Sequence, residues 1–394
     1  MSSTPTAPRL SSERALFGVP ADVHYLNCAY MAPLAPSVEE ASVTGLQRKR
    51  RPWEIAPEHF FDQSERARRL FADLVVPGGD PHRVALVPAV SHAIATVVKN
   101  VTVSAGQTVV VLAEQFPSNV HAWRRKTREN DAELVVVPRP DSATPGSSWS
   151  TAVVDSIDSR CAAVALPIVH WTDGTLFDVA AIGRRCREVG APLVLDLSQS
   201  LGALPFDQEA VQADAVISVG YKWLLGPYAQ GAAWLSERFD DGAPLEESWI
   251  DRAGSQDFRR LVEPTDAYQP GALRHDAGER SNFALLPGFI AALELVHRFR
   301  PEGIQDYCRR LCSGLIERLA EHGWVTAPAG ERADHLFGIR SPAGVDLDVL
   351  AARLRERQVH VSLRGDAVRI SPHLWCDETD LAALEGVLTT AVTG

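Results

Sequence analysis

The sequence predicts an α/β protein: a large domain on a mixed, mostly parallel sheet, then a smaller C-terminal α+β domain. Two observations carry this. From about residue 84, short apolar runs alternate with amphipathic stretches, the pattern of strands covered on both faces by helices. From about Leu285 the alternation gives way to two long helical stretches followed by short strands. The 394-residue length is more than one small core requires.

Taken in order, residues 1–20 are polar and proline-containing and read as a loose N-terminal arm. His24 to Tyr30 is a short extended stretch, and helical spacing follows over Val38–Gln47 and Phe60–Leu74; residues 21–75 are expected to pack on the small domain. After the turn cluster Pro77-Gly78-Gly79-Asp80-Pro81, strands are expected at Val84–Val87, Thr108–Leu112, Leu134–Val137, Ala162–Leu166, Pro192–Asp196, Ala213–Val219 and Ala232–Leu235. Helices are expected from Ser91, from near Ser118 and over Val179–Val189. The large domain accordingly spans residues 21–285 and the small one 286–394. Within the latter, helices are expected over Leu285–Phe299, Ile304–His322, Leu347–Arg357 and from Glu378, with strands at His335–Arg340, His360–Leu363 and Ala367–Ile370.

Composition narrows the function. A net charge of −11 gives nucleic acid no electrostatic footing. No apolar run reaches the roughly 18 residues that span a bilayer, and the N-terminus lacks a basic-then-apolar signal, so a soluble, cytoplasmic protein is expected. The six cysteines are scattered without a CxxC pair, which reads as reduced thiols and no metal site. Neither GxxxxGK[ST] nor a GxGxxG after a strand occurs, so the usual nucleotide-binding devices are missing.

Chemistry in open α/β sheets gathers beyond the carboxyl ends of the strands. Of 39 basic residues only Lys49, Lys99, Lys126 and Lys222 are lysines. Lys222 alone follows a buried-strand pattern, between Tyr221 and Trp223. A desolvated lysine can shed its proton and act as a nucleophile, which arginine cannot do; a lysine snorkelling from a strand end is the plainer reading of that segment by itself. Three other strand ends join it. Ser91 and His92 open a helix where backbone N–H groups favour a phosphate. Phe116 stands in a loop where it can stack on a planar ligand. Asp196 ends a strand and would need a cation or several donors if buried. A phosphate turn, a stacking aromatic, a carboxylate and a lysine together suit pyridoxal phosphate, with lysine on the aldehyde and the carboxylate on the ring nitrogen.

In their order and spacing these motifs resemble class V aminotransferase-fold enzymes, the group that includes cysteine desulfurases, kynureninase and isopenicillin N epimerase-like proteins. The resemblance runs from about His24 to the C-terminus and implies the type I fold of pyridoxal-phosphate transferases. It further implies that Lys222 anchors the cofactor, that Asp196 partners its ring nitrogen and that Gln199 contacts its phenolic oxygen. Phe116-Pro117-Ser118-Asn119, the loop from Val169 to Asp178 around His170, and Tyr221 before the lysine are similar to kynureninase; Tyr221 would bond the phosphate, and Ser218 is a further cofactor candidate. Arg280-Ser281-Asn282-Phe283 resembles the segment these homodimers offer to the partner's phosphate, implying Ser281 and Asn282 as cofactor contacts and active sites at the subunit interface. Arg369, in Val368-Arg369-Ile370-Ser371, is similar to the arginine that forks onto the substrate carboxylate. Asn27, Tyr30 and His170 are candidates for the substrate side chain, each also readable as structural. Arg364 is either a turn residue or a second anion contact.

Two departures shape the expected reaction. Gln358 to Arg369 holds no cysteine, which disfavours the desulfurase route, and Trp375 stands where a tyrosine is often found. The expectation is an enzyme acting on an α-amino acid by cleavage of a Cβ bond. Class V transamination, epimerisation and a non-catalytic protein of the same fold remain alternatives.

Overall fold

The computed structural model describes residues 9–393. A seven-stranded sheet runs in the order Val84–Val87, Gly231–Leu235, Ala215–Val219, Leu193–Asp196, Cys161–Leu166, Thr108–Leu112, Glu133–Val137. Only Gly231–Leu235 runs against its neighbours; the other pairings are parallel. Apart from the edge strand Glu133–Val137, these strands are buried along their whole length, as their unbroken apolar sequence requires of a sheet covered on both faces. Helix boundaries follow local chemistry. Asp178 accepts the Ala181 N–H at 2.9 Å to start Val179–Val189, and Gly190, at φ 78°, ends it in the left-handed conformation.

C-terminal to the sheet, Leu286–Phe299 and Pro301–Glu321 lead into an antiparallel sheet ordered Ser362–Arg364, Ala367–Ile370, Phe337–Arg340, flanked by Leu347–Glu356 and Glu378–Thr393. Residues near the N-terminus join this region. His24–Tyr25 pairs in parallel with Val359–His360, Asn27 bridges to Ser371, and the Gly45 backbone of Pro36–Gln47 lies against Phe283 and Pro287. Gly174 closes the seam from the other side, because a Cβ there would meet the Leu336 carbonyl at 1.9 Å.

Three elements differ from the sequence reading. Residues 13–20 are no loose arm: Glu13 donates its N–H to the Leu374 carbonyl at 2.7 Å and Arg14 pairs with buried Asp380 at 2.8 Å; residues 1–8 of the arm lie outside the described residues. Pro145–Asp155 is a helix hidden by a serine- and threonine-rich sequence that also suits turns. The single strand expected at His360–Leu363 is split, with Val359–His360 pairing to the N-terminal segment and Ser362–Arg364 to Ala367–Ile370. Among the described residues no helix is long and apolar enough to cross a membrane.

Candidate active site

The parallel strands deliver their carboxyl ends to one edge of the sheet, and the loops that follow enclose a cavity of about 250 Å³. Lys222 lies at its floor, only 8% exposed. Its Nζ sits 5.5 Å from the centre of the Phe116 ring and 5.7 Å from that of Tyr221. Burial pushes the ammonium down to about 8; the Asp196 carboxylate resists this and the Arg369 charge adds to it. A substantial neutral fraction near pH 8 is what amine chemistry needs.

Asp196 shares the cavity, buried, with Oδ1 accepting the Ser198 N–H at 3.0 Å. Burial raises its pKa, opposed by the bonds from Ser198 and by the charge of Lys222. Gln199 is held from three sides. Its amide donates to the Ala29 carbonyl at 3.0 Å, its Oε1 accepts from Trp223 Nε1 at 3.0 Å, and its backbone carbonyl accepts from His335 Nε2 at 2.7 Å. Ser91 lines the opposite wall at the start of Val90–Asn100, whose N-cap, Ala89, makes no side-chain bond to the first N–H groups. Asn119 also lines the cavity; it is 0% exposed, and neither end of its amide has a partner.

Trp171 forms the remaining wall. Its ring stands edge-on to Phe116 at 5.5 Å, and its carbonyl accepts Arg369 Nη1 at 2.8 Å. Arg369 is 1% exposed. Its Nη2 donates to Ser362 Oγ at 3.3 Å, and its Nε has no partner. Burial, and then the neighbouring Arg364, push its pKa down to about 9.

Residues 54–378 match the family model for aminotransferase class V. The chain belongs to the class-V aminotransferase family. It is 28% identical over 318 residues to the uncharacterized aminotransferase YcbU of Bacillus subtilis (strain 168), covering 80% of each chain. It is 26% identical over 292 residues to a kynureninase of Cryptococcus neoformans var. neoformans serotype D (strain B-3501A), covering 67% of this chain and 64% of that one. Among solved structures, the cystine C–S lyase C-DES bound to its product cysteine persulfide superposes with a TM-score of 0.82 at 18% identity, over 94% of this chain and 98% of that one. A C-DES mutant carrying glycine covalently linked to its pyridoxal-phosphate cofactor gives the same TM-score and identity over 96% and 99%. The sheet order is thus that of the type I pyridoxal-phosphate fold anticipated from the sequence, and this class-V chain is a pyridoxal-phosphate enzyme.

Its residues suit that cofactor on their own chemistry. The cavity offers an amine with lowered proton affinity, a buried carboxylate, an exposed aromatic face at Phe116 and the unpaired amide of Asn119. A neutral apolar ligand would leave the carboxylate and the Asn119 amide unmatched.

Of the residues singled out in the sequence, Ser91, Phe116, Asp196, Gln199, Tyr221 and Lys222 line the cavity, and Arg369 adjoins it through Trp171. Others do not reach it. His170 is fully buried, with Nδ1 2.8 Å from Thr172 Oγ1 and its ring against Trp149. Alternation along an extended segment explains this: Val169 and Trp171 face the cavity, so the residue between them faces away. Ser218 fails for the same reason beside the lining residue Val219, and its hydroxyl donates to the Val219 carbonyl at 3.2 Å. His92 turns toward Glu246, 3.9 Å away. Asn27 accepts the Ser362 hydroxyl at 2.9 Å and so braces Arg369 from behind. Tyr30 is 58% exposed and outside the cavity wall. Ser281 donates to the Phe60 carbonyl, while Asn282 Oδ1 accepts the Ala284 and Leu285 N–H groups at 3.1 and 2.9 Å, both away from this cavity.

Sequence reasoning gave no role of their own to the lining residues Asn119, Trp171, Ser198 and Tyr228, although the first two lie within motifs it quoted. Asn119 follows Pro117-Ser118, where asparagine ordinarily signals a turn. Tyr228 packs on Tyr221 at 4.6 Å, and only its place just after the Lys222 loop pointed to it.

Proposed function

We propose that this enzyme acts on an α-amino acid and cleaves a bond at Cβ, as a lyase. The observation that carries the reading is Lys222, a buried amine near half-protonation at about pH 8, under the opposing charges of the Asp196 carboxylate and of the Arg369 guanidinium, which has no carboxylate partner among the described residues. Pyridoxal phosphate, when bound, supplies an electron sink for the bond broken at Cα. Arg369 holds the substrate α-carboxylate through its fork, Lys222 as the free amine takes the Cα proton, and the β-substituent leaves with its bonding pair. Asp196 offers its charge to the protonated ring nitrogen, and Phe116 covers the ring. The likeness to kynureninase supports Cβ cleavage. Desulfurase chemistry fits poorly: among the described residues no cysteine lines the cavity, and burial raises the nearby Cys28 thiol well above its usual range.

The same reading makes the enzyme a homodimer. Ser281 and Asn282 then serve the partner's phosphate, since neither lines the cavity of its own chain. The compartment that fits is the cytoplasm, where six unpaired, buried cysteines remain reduced.

The purified protein is expected to be yellow, and borohydride to fix cofactor mass on the peptide containing Lys222. A colourless protein that takes up no pyridoxal phosphate refutes the assignment of Lys222. With an amino-acid panel, pyruvate or alanine as product supports the lyase. Pyridoxamine phosphate makes it a transaminase, and inversion at Cα an epimerase; either would overturn the lyase.

A further inference from the structure

Trp171 holds two arginines. Its carbonyl accepts from Arg369 at 2.8 Å, and the Arg364 guanidinium lies over its ring, 5.4 Å from the centre. The pairing register explains why both stand together. Ser362 is paired with Arg369 across the antiparallel ladder, and Arg364, two residues along, projects from the same face. Diagonal neighbours on one face lie about 7–8 Å apart, within reach of long side chains.

Acids near this wall are already matched. Arg139 binds Asp173 at 2.7 Å and Glu114 at 3.1 Å, while Arg340 binds Asp366, the acid of the hairpin turn, at 3.2 Å. Arg364 and Arg369 are left without a carboxylate partner among the described residues, and the Nε of each is buried without a hydrogen bond. Arg364 also keeps Nη1 on the Leu363 carbonyl at 2.8 Å, which fixes its plane against Trp171. Burial lowers the pKa of both, and the Arg364 charge bears on both Arg369 and Lys222. Two cations without carboxylate partners, Arg369 fully buried and Arg364 half-buried, standing together behind the Trp171 wall, suit two anionic groups.

We infer that Arg364 and Arg369 form a double anion seat, and that the substrate is an α-amino acid whose side chain itself carries an acidic group. Arg369 takes the α-carboxylate and Arg364 the second anion, against the Trp171 wall. An amino acid with a neutral side chain would satisfy one guanidinium and leave the other unmatched. Arg364 is thereby a specificity determinant and more than a hairpin residue. The assignment rests on the amino-acid reading above, so its test is a binding measurement that needs no turnover.

Calorimetry on the holoenzyme compares succinate and glutarate with butyrate. One charge-assisted contact corresponds to about a 10- to 100-fold preference for the better-fitting dicarboxylate. In Arg364→Gln the ratio should collapse to within about twofold, with Arg364→Lys intermediate, while Arg369→Gln weakens all three ligands. As competing ligands, L-aspartate or L-glutamate should inhibit more strongly than L-asparagine and L-glutamine, and Arg364→Gln should erase that advantage. Equal binding of the three acids by the parent protein overturns the inference, as does a dicarboxylate preference that survives Arg364→Gln. A holoenzyme that prefers dicarboxylates yet turns over no amino acid refutes the lyase reading and leaves the anion seat standing.

Discussion

Replacing Arg369 with methionine should make the protein more stable and nearly inactive. The guanidinium is 1% exposed, faces Arg364 and has no carboxylate partner. Its pKa is pushed down to about 9, yet at neutral pH it stays protonated. At about 1.4 kcal/mol per pH unit, holding that charge costs about 5 kcal/mol as an upper bound. Methionine fills much of the volume without the charge, but forfeits the bonds to Trp171 and Ser362, each worth about 1 kcal/mol. The net expectation is a gain of about 1–3 kcal/mol, in line with other replacements of buried ions by apolar residues. Function moves the other way: two charge-assisted bonds to a substrate carboxylate are together worth about 3–6 kcal/mol, or about 10²- to 10⁴-fold in kcat/KM. Urea unfolding in carboxylate-free buffer reads the first quantity and steady-state kinetics the second. Adding succinate should stabilise the parent and not the variant. A variant several kcal/mol less stable than the parent, or one with an unaltered KM, would show that Arg369 is a packing residue.

Two further predictions concern pH. In cofactor-free protein the Lys222 amine should capture pyridoxal phosphate at a rate that rises through about pH 8 and then levels, well below the ~10.4 of an ordinary lysine. Asp196→Asn should move that midpoint down and Arg369→Met should move it up, because those charges act on the ammonium in opposite senses; a rate still climbing at about pH 10 contradicts the buried-amine account. Burial lowers His335 and His170 to about 4 and His373 to about 3. The unfolded chain therefore binds protons first: stability is complete above about pH 6.5 and falls toward pH 4, by about 3 kcal/mol per histidine. Urea midpoints across that range should flatten in His373→Phe, since both ring nitrogens lack partners and the ring stacks on Trp375; an equally steep variant would exclude His373 as a source.

Strand-end chemistry was legible because it depends on sequence order. Asp196, Tyr221 and Lys222 each follow an apolar run, and a parallel sheet must bring such positions to one edge. Motif alone does not say which way an extended chain turns a residue. His170 and Ser218 sit one position from residues that do line the cavity, and period-two alternation sends them into the core. Asn119 was hidden for another reason: its amide has meaning only once burial shows that both ends lack partners. Nor does anything local in Ser362-Leu363-Arg364 reveal that Trp171, nearly two hundred residues earlier, joins Arg364 to Arg369.

Arginine and lysine are used for opposite ends at this site. Both Lys222 and Arg369 are buried cations beside a cavity, and burial weakens proton binding in each. At position 222 the result near 8 makes the free amine available, whereas an arginine would remain charged and inert. At position 369 the guanidinium starts high enough that the same penalty leaves the charge in place, and the planar fork is kept. A lysine there would be driven toward neutrality by the same burial and by Arg364, losing charge and fork together. The rest of the wall is consistent with a site that holds one half of each interaction: Asn119 is unpaired, and Ala229 adopts a φ of 61°, a conformation that costs a non-glycine residue about 1–3 kcal/mol. Lys222→Arg should therefore fold and take up no covalent cofactor. Arg369→Lys should still bind cofactor yet discriminate poorly among carboxylates, and more poorly as pH rises. If Arg369→Lys recognised carboxylates as well as the parent at every pH, the fork would be irrelevant and charge alone would suffice.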